Sequence, residues 1–447
     1  MLSPDQARDR ALDLVERARR AGAETADAVY GASSSEGIQV RLGKLEDVER
    51  SESEHIALRV FVGRRSASIG SSDLSPAALD ELAARAIDMA RAAPEDAYAG
   101  LAPEDLLTRG PFPELDLFDA HEPSPEALRA AALEAEDAAR AVSGISNSDG
   151  ATASFGDGVF ALATSHGFSG AYGSTHHSLS ASVVGGETDK QRDNAWRSTH
   201  HHADLPSPAE IGRLAGERTV AKLGSGKMKS GAMPVIFDPR VSSSLVGHLL
   251  GAITGNAIAR RSSFLLEKLG EQIFAPGITI ADDPHTPRGL RSRPFDGEGL
   301  PTGARNVIED GRLTGWLLDS ASARQLNLTP TGHAARNGGG APGVSTGNVH
   351  LAAGTLSPAE LMADIKDGVY VTELIGQGVN GVTGDYSRGA AGFRIVDGQL
   401  AGPVSEFTVA GNLLRMFAQL TPANDLEWYR AINVPTLRVD GMTIAGD

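Results

Sequence analysis

Apolar residues recur along this chain with two periods, and the switches between them mark out its elements. Leu79, Leu82, Ala83, Ala86, Ile87 and Ala90 fall three and four apart, the spacing that gathers one stripe on a helix and packs it against a sheet. Pro94 ends that run. Ile38, Val40 and Leu42, and later Ile56, Leu58, Val60 and Val62, alternate with polar residues, which predicts strands with one wet face. Residues 1–95 therefore read as helix, antiparallel meander, helix.

Helix starts carry a common signal. Ser-Pro occurs at Ser3-Pro4, Ser75-Pro76, Ser124-Pro125, Ser207-Pro208 and Ser357-Pro358. Serine caps the orphan amides, and proline takes a first-turn position where its missing donor costs nothing. Gln6, Glu210 and Glu360 stand three residues after their serines, as a capping box requires. A Pro-rich acidic connector over about 100–123 leads to a helix from 125 to about 142, then to Gly/Ser-rich alternating segments up to about 200. After Gly224-Ser225-Gly226 come a strand at 234–237, one buried apolar helix around 245–259, and mostly β structure. Asp310-Gly311, Asp397-Gly398 and Asp440-Gly441 lie between short apolar segments and predict tight hairpins. The expected fold class is α+β, with an N-terminal α+β domain at 1–95, a middle α/β domain at 96–224 and a β-rich C-terminal domain at 225–447.

Composition narrows the chemistry. The chain of 447 residues carries 41 Lys+Arg against 57 Asp+Glu, a formal charge of −16, which repels a phosphate backbone unless a basic patch is concentrated locally. The sequence contains no such patch, so direct nucleic-acid binding is not expected. Cysteine is absent, which excludes disulfides, thiolate catalysis and Cys-ligated metal centres. The start, Met1 to Arg10, is charged and lacks the apolar core of a secretory signal, so a cytoplasmic location is expected. The apolar stretch at 245–259 is interrupted by His248 and Asn256 and is shorter than the ~20 residues of a membrane span; no membrane association is expected.

Three motifs suggest chemistry. Residues 376–381 match G-x-G-x-x-G after a plausible strand, and 338–343 share the spacing. A dinucleotide site also needs a helix to start there, and none is predicted, so both read as turns. Gly343-Val344-Ser345-Thr346-Gly347 matches the nucleophile elbow, but the segment continues as a strand instead of feeding a helix. His176, His177, His200, His201 and His202 are the densest potential metal ligands. On a strand His200 and His202 would share a face, with Asp189, Asp193 and Asp204 as nearby carboxylates; solvated surface histidines are the competing reading.

Leu245-Val246-Gly247-His248-Leu249-Leu250-Gly251-Ala252-Ile253-Thr254-Gly255-Asn256 resembles a helix of the TldD/PmbA family, also called peptidase U62-like or modulator of DNA gyrase. Supporting matches are Ile56-Ala57-Leu58-Arg59-Val60, Phe295-Asp296-Gly297-Glu298-Gly299, Thr331-Gly332-His333-Ala334, Thr383-Gly384-Asp385-Tyr386-Ser387 and Thr408-Val409-Ala410-Gly411-Asn412-Leu413. Together they resemble the PmbA branch, or TldE. In the TldD branch the corresponding helix reads H-E-x-x-x-H, binding zinc through its histidines and using glutamate as general base. On the frame fixed by Gly255, those positions hold Gly251, Ala252 and Asn256. A TldD cysteine ligand would fall between Asn424-Asp425-Leu426 and Pro435-Thr436-Leu437, where this chain has none.

The resemblance implies a non-catalytic subunit, with no cofactor of its own, paired with a TldD-like zinc protease subunit. The pair would cleave unfolded or extended peptides or mature peptide antibiotics. Glu298, Arg324, Arg336, Asp385 and Arg388, in the matched segments, are the candidates for a peptide-facing chamber wall; hairpin and salt-bridge roles are the alternative for all five. A homodimer of the isolated chain is compatible with this reading, since a surface shaped for a homologue can accept a copy of itself. Two other functions stay open: a hydrolase acting alone through Ser345 or the histidines, and a gyrase-related peptide- or protein-binding module.

Overall fold

The computed structural model describes residues 1–336 and 338–447. It opens with α1 (Pro4–Ala21), then β1 (Thr25–Arg41), β2 (Lys44–Val62) and β3 (Arg65–Ser71), then α2 (Pro76–Ala92). This is the predicted helix, meander, helix. Leu42 departs from the alternation: it sits with a φ of 52° beside Gly43 in the β1–β2 turn, half exposed instead of in a strand. Every Ser-Pro starts a helix, and its serine oxygen accepts an amide from the first turn. The reciprocal capping-box bond closes at Ser3 with Gln6 and at Ser357 with Glu360. At Ser207 only the serine half forms, with the Glu210 amide.

The connector leads to α3 (Pro125–Arg140), β4 (Ile145–Thr164), β5 (Ser169–Gly185), β6 (Gln191–Thr199) and α4 (Pro208–Ala221). Strands from both sides of the connector join one antiparallel sheet, β3-β2-β1-β4-β5-β6, through the long β1–β4 pairing. Because the strands are so long, one face carries two helical pairs. Ala26, Ala28, Tyr30, Leu58 and Val60 pack under α1 and α2, while Ile38, Val40, Ala153 and Leu179 pack under α3 and α4. On the opposite face Val29 and Leu162 meet Phe168 and Phe295. That contact joins the sheet to the C-terminal half.

The C-terminal half begins with β7 (Gly231–Phe237), α5 (Pro239–Ala252) and α6 (Gly255–Ala259), followed by β8 (Ile280–Asp283), β9 (Arg305–Glu309) and β10 (Arg312–Leu313). Then come α7 (Ser320–Leu326), β11 (Ala334–Ala335), β12 (Gly343–Val344), β13 (Asn348–Leu351) and α8 (Pro358–Met362). Last are β14 (Asp367–Ile375), β15 (Asp385–Val396), β16 (Gln399–Asn412), α9 (Leu413–Ala418), β17 (Leu420–Pro422), β18 (Ile432–Asn433) and β19 (Leu437–Ala445). The order β16-β15-β14-β7-β19 closes on itself through β16–β19 pairs, making a barrel-like sheet. Asp310-Gly311 and Asp397-Gly398 form the predicted hairpins, each residue at positive φ. Asp440-Gly441 does not. It is a bulge inside β19, where Gly441 has φ 71° and the register shifts. The extra residue bends the strand so that 437–439 pair with β17 and 443–445 with β16.

Candidate functional site

The segment 245–259, which resembles the family's protease helix, is not the single helix that its apolar run predicts. Asp238 caps α5 and Pro239 opens it; the helix ends at Ala252, and Thr254 caps α6 by accepting the Ala257 amide. The break is held from outside, because Leu317 donates its amide to the Ile253 carbonyl and accepts the Gly255 amide at 2.7 Å. Gly255 is required here: a Cβ would stand 2.2 Å from Ser322 Oγ. Gly251 thus lies in the last turn of one helix and Asn256 in the first turn of the next.

Gly247 and Gly251 face open space on a groove of about 280 Å³ lined also by His248, Ala252, Phe264, Gln377 and Val379. Three polar groups meet at its wall and behind it. His248 Nε2, Tyr386 Oη and Arg388 Nε are all buried without a hydrogen-bond partner. Burial, with Arg388 nearby, pushes the His248 pKa down. Burial pushes the Tyr386 phenol up to about 12 against the pull of Arg388. Zinc does not fit this lining: the groove offers one imidazole and no carboxylate or thiolate, where a tetrahedral catalytic site needs three protein ligands.

The five wall candidates separate into two groups. Asp385 and Arg388 lie on β15 near the groove. Asp385 is exposed and accepts bonds from Thr383 and Asn412, which hold its carboxyl below the usual range. Glu298, Arg324 and Arg336 are elsewhere, at the junction between the N-terminal sheet and the C-terminal half. Glu298 is buried and accepts the Ser320 amide. Arg324 donates to the carbonyls of Tyr98, Gly100 and Leu101 at 2.8–3.0 Å. The Arg336 side chain is 1% exposed and reaches Asp27 at 2.7 Å and Gly297 O at 2.7 Å.

The pattern of residues did not reveal the centre of that junction, Asp27. It pairs directly across β1–β2 with Arg59, and Arg336 completes the trio. Burial opposes the charge on Asp27, but Arg336 and Arg59 outweigh it and hold its carboxyl below the ordinary range. Asp296 lies in the same junction; burial and then Glu298 raise it to about 7, although it accepts amides from Glu298, Leu300 and Ala334. An Asp at a strand position flanked by apolar neighbours was the available signal for Asp27, but nothing local names its partners.

The other motifs resolve without a catalytic arrangement. Residues 376–381 form the turn between β14 and β15. Ser345 sits between β12 and β13, with its hydroxyl on the Thr346 carbonyl. Nearby His333 has both ring nitrogens engaged, by Asp282 and Thr331, so it is not positioned as a base for that serine. The expected pairing of His200 and His202 on one strand face fails because β6 ends at Thr199. His200 turns inward to the carbonyls of Thr175 and Gly289, and His201 approaches Asp116. Of the acids considered with them, Asp193 pairs with Lys222 and Arg240, and Asp204 with Arg288; Asp189 accepts bonds from Gln191 and Gly224. His176 and His177 occupy successive positions on β5, facing opposite ways.

Comparison with known proteins gives agreement along the whole chain. Models of the PmbA/TldA metallopeptidase domain 1, central domain and C-terminal domain match residues 26–90, 118–223 and 230–446. Metalloprotease PmbA of Escherichia coli O157:H7 is 40% identical over 433 residues, covering 95% of this chain and 92% of that protein. A PmbA homolog of Haemophilus influenzae is 35% identical, covering 97% and 94%. A crystal structure from Bacteroides thetaiotaomicron, described as a modulator of DNA gyrase, superposes with a TM-score of 0.90 at 28% identity over the full length of both chains. TldE from Thermococcus kodakarensis shares the fold, with a TM-score of 0.86 at 21% identity, covering 98% of this chain and 100% of that one.

Proposed function

This chain belongs to the PmbA/TldA metallopeptidase family, and on that premise we propose that it is a non-catalytic, TldE-like subunit that works with a TldD-like zinc subunit on unfolded or extended peptides. The observation that carries the reading is the groove beside α5. Its position within the family pattern corresponds to the metal-binding helix, yet Gly251, Ala252 and Asn256 supply a hydrogen, a methyl and an exposed amide, and the helix is broken between them. With Gly247 and Gly251 open to space, the groove has room for an extended backbone, which main-chain hydrogen bonds can hold without sequence preference.

In this reading Asp385 faces the chamber, while Arg388, three residues on and directed to the other side of β15, stands behind the groove with His248 and Tyr386. Glu298, Arg324 and Arg336 hold the chamber wall together from inside, because their polar atoms are engaged within the chain. The described residues include no helix long and apolar enough to cross a membrane, and no membrane partner enters the proposal. The test is co-purification: a TldD-like chain carrying H-E-x-x-x-H should be retained by this chain in fixed ratio. A TldD-like chain from the same genome that passes through unretained would overturn the pairing.

A further inference from the structure

Far from the groove, one cluster draws donors from three separate stretches of chain. His177 is on β5, His202 follows β6, and Asp119 and His121 are on the connector before α3. The ring centres stand 4.6 Å apart for His121–His202, 5.5 Å for His177–His202 and 6.1 Å for His121–His177. Asp119 organises the group. Its Oδ1 accepts the His121 amide at 2.9 Å, and its Oδ2 accepts the His202 amide at 2.8 Å while lying 3.4 Å from His177 Nε2. His177 is 1% exposed, and that Nε2 has no hydrogen-bond partner.

A buried nitrogen left unpaired forfeits its hydration without a replacement bond, so it calls for a ligand or a reason. Spacing supplies one. With ligands at about 2.0–2.2 Å on a tetrahedral ion, two donor atoms stand about 3.4 Å apart, and two histidine rings about 5 Å centre to centre. The Asp119–His177 distance and the three ring separations cluster around those values. We propose that Asp119, His121, His177 and His202 form a binding site for a divalent transition ion of the zinc class.

Three imidazoles and one carboxylate suit such an ion better than magnesium or calcium. In the structure no three donors among the described residues already surround one point. Closure requires the rings of His121 and His202 to turn, which their exposure allows, while buried His177 and the doubly bonded Asp119 stay in place. Burial also lowers the His177 pKa to about 4 despite Asp119, so the imidazole keeps the neutral form that offers a lone pair. Asp119 also lines a groove of about 490 Å³ with Glu36, Glu52, Glu54, Glu122 and Asp157, which outnumber Arg50 in the same lining, so the net negative charge concentrates cations at its mouth. The bound ion would pin the connector to the middle of β5 and to the segment that follows β6. It restores nothing of the protease site, whose missing ligands would belong to α5, α6 and the segment before Pro435.

Cobalt(II) titrated into the chelator-treated full chain tests this site. The expected result is one ion per chain, with the visible absorption of tetrahedral cobalt, displaced by zinc. Loss of an outer-shell partner alone weakens metal sites about 10–100-fold, so His121→Ala and His202→Ala, both at exposed positions, should each weaken binding at least that much. His55→Ala should leave it unchanged. Absence of saturable one-to-one binding, or binding that survives both substitutions, overturns the proposal.

Discussion

Asp27→Asn tests the junction between the N-terminal sheet and the C-terminal half. The substitution keeps the side-chain shape and removes one charge, leaving the Arg59 and Arg336 side chains, 8% and 1% exposed, facing each other without their shared carboxylate. Breaking a buried pair by removing one partner costs about 3–5 kcal/mol. Because one acid here neutralises two guanidiniums, the upper end, about 4–5 kcal/mol, is expected in urea denaturation at pH 7. The pH dependence has a fixed sign. A carboxyl held below its unfolded value stabilises the fold above that value, about 3.9, and loses the contribution as pH falls through the lower folded one. The gap between wild type and Asp27→Asn should therefore stay constant from pH 7 to about pH 4 and narrow in stronger acid. A gap below about 1 kcal/mol at pH 7, or one that fails to narrow, would refute the reasoning.

Asp296 has the opposite sign. Its folded value of about 7 lies above the unfolded one, so the folded state holds the extra proton and wild type should lose stability relative to Asp296→Asn as pH rises from 4 to 7, by at most roughly 1.4 kcal/mol per unit. Denaturation midpoints of both proteins across that range measure it. Arg324→Ala frees the carbonyls of Tyr98, Gly100 and Leu101 and should cost about 1–3 kcal/mol, with faster proteolytic nicking near residue 100. Gly392→Ala places a Cβ 1.9 Å from the Tyr370 carbonyl, which should destabilise by about 2–3 kcal/mol or more. Gly402→Ala, with nothing within 4 Å, should change the melting behaviour little.

Local chemistry made the starts of elements readable. A Ser-Pro pair satisfies orphan amides whatever surrounds it, and each of the five opens a helix. The alternations around Ile38 and Ile56 report one buried sheet face, which is also local. Features set by distant contacts were not readable. The run at 245–259 is apolar enough for one helix, yet Leu317 takes over the backbone bonds at Ile253 and Gly255 and splits it. Asp440-Gly441 has the composition of a hairpin turn, but the two different neighbours of β19 make it a bulge. Glu298, Arg324 and Arg336 were marked by their place in matched segments, which did not reveal that their partners are buried or lie more than two hundred residues away. The three imidazoles around Asp119 were only partly visible, because His121 stands alone in the connector and joins the others only when the sheet forms.

Under the proposed function, peptide-bond hydrolysis requires a second subunit, and this chain supplies none of the hydrolytic groups. Cleavage of an unfolded peptide should be measured with this chain alone, with a TldD-like subunit alone, with both, and with both after Glu→Gln replacement in the H-E-x-x-x-H motif of that subunit. Full, chelator-sensitive cleavage is expected only in the unmodified mixture, and none from this chain by itself. Hydrolysis by this chain alone, or by the mixture after that replacement, would contradict the proposed function.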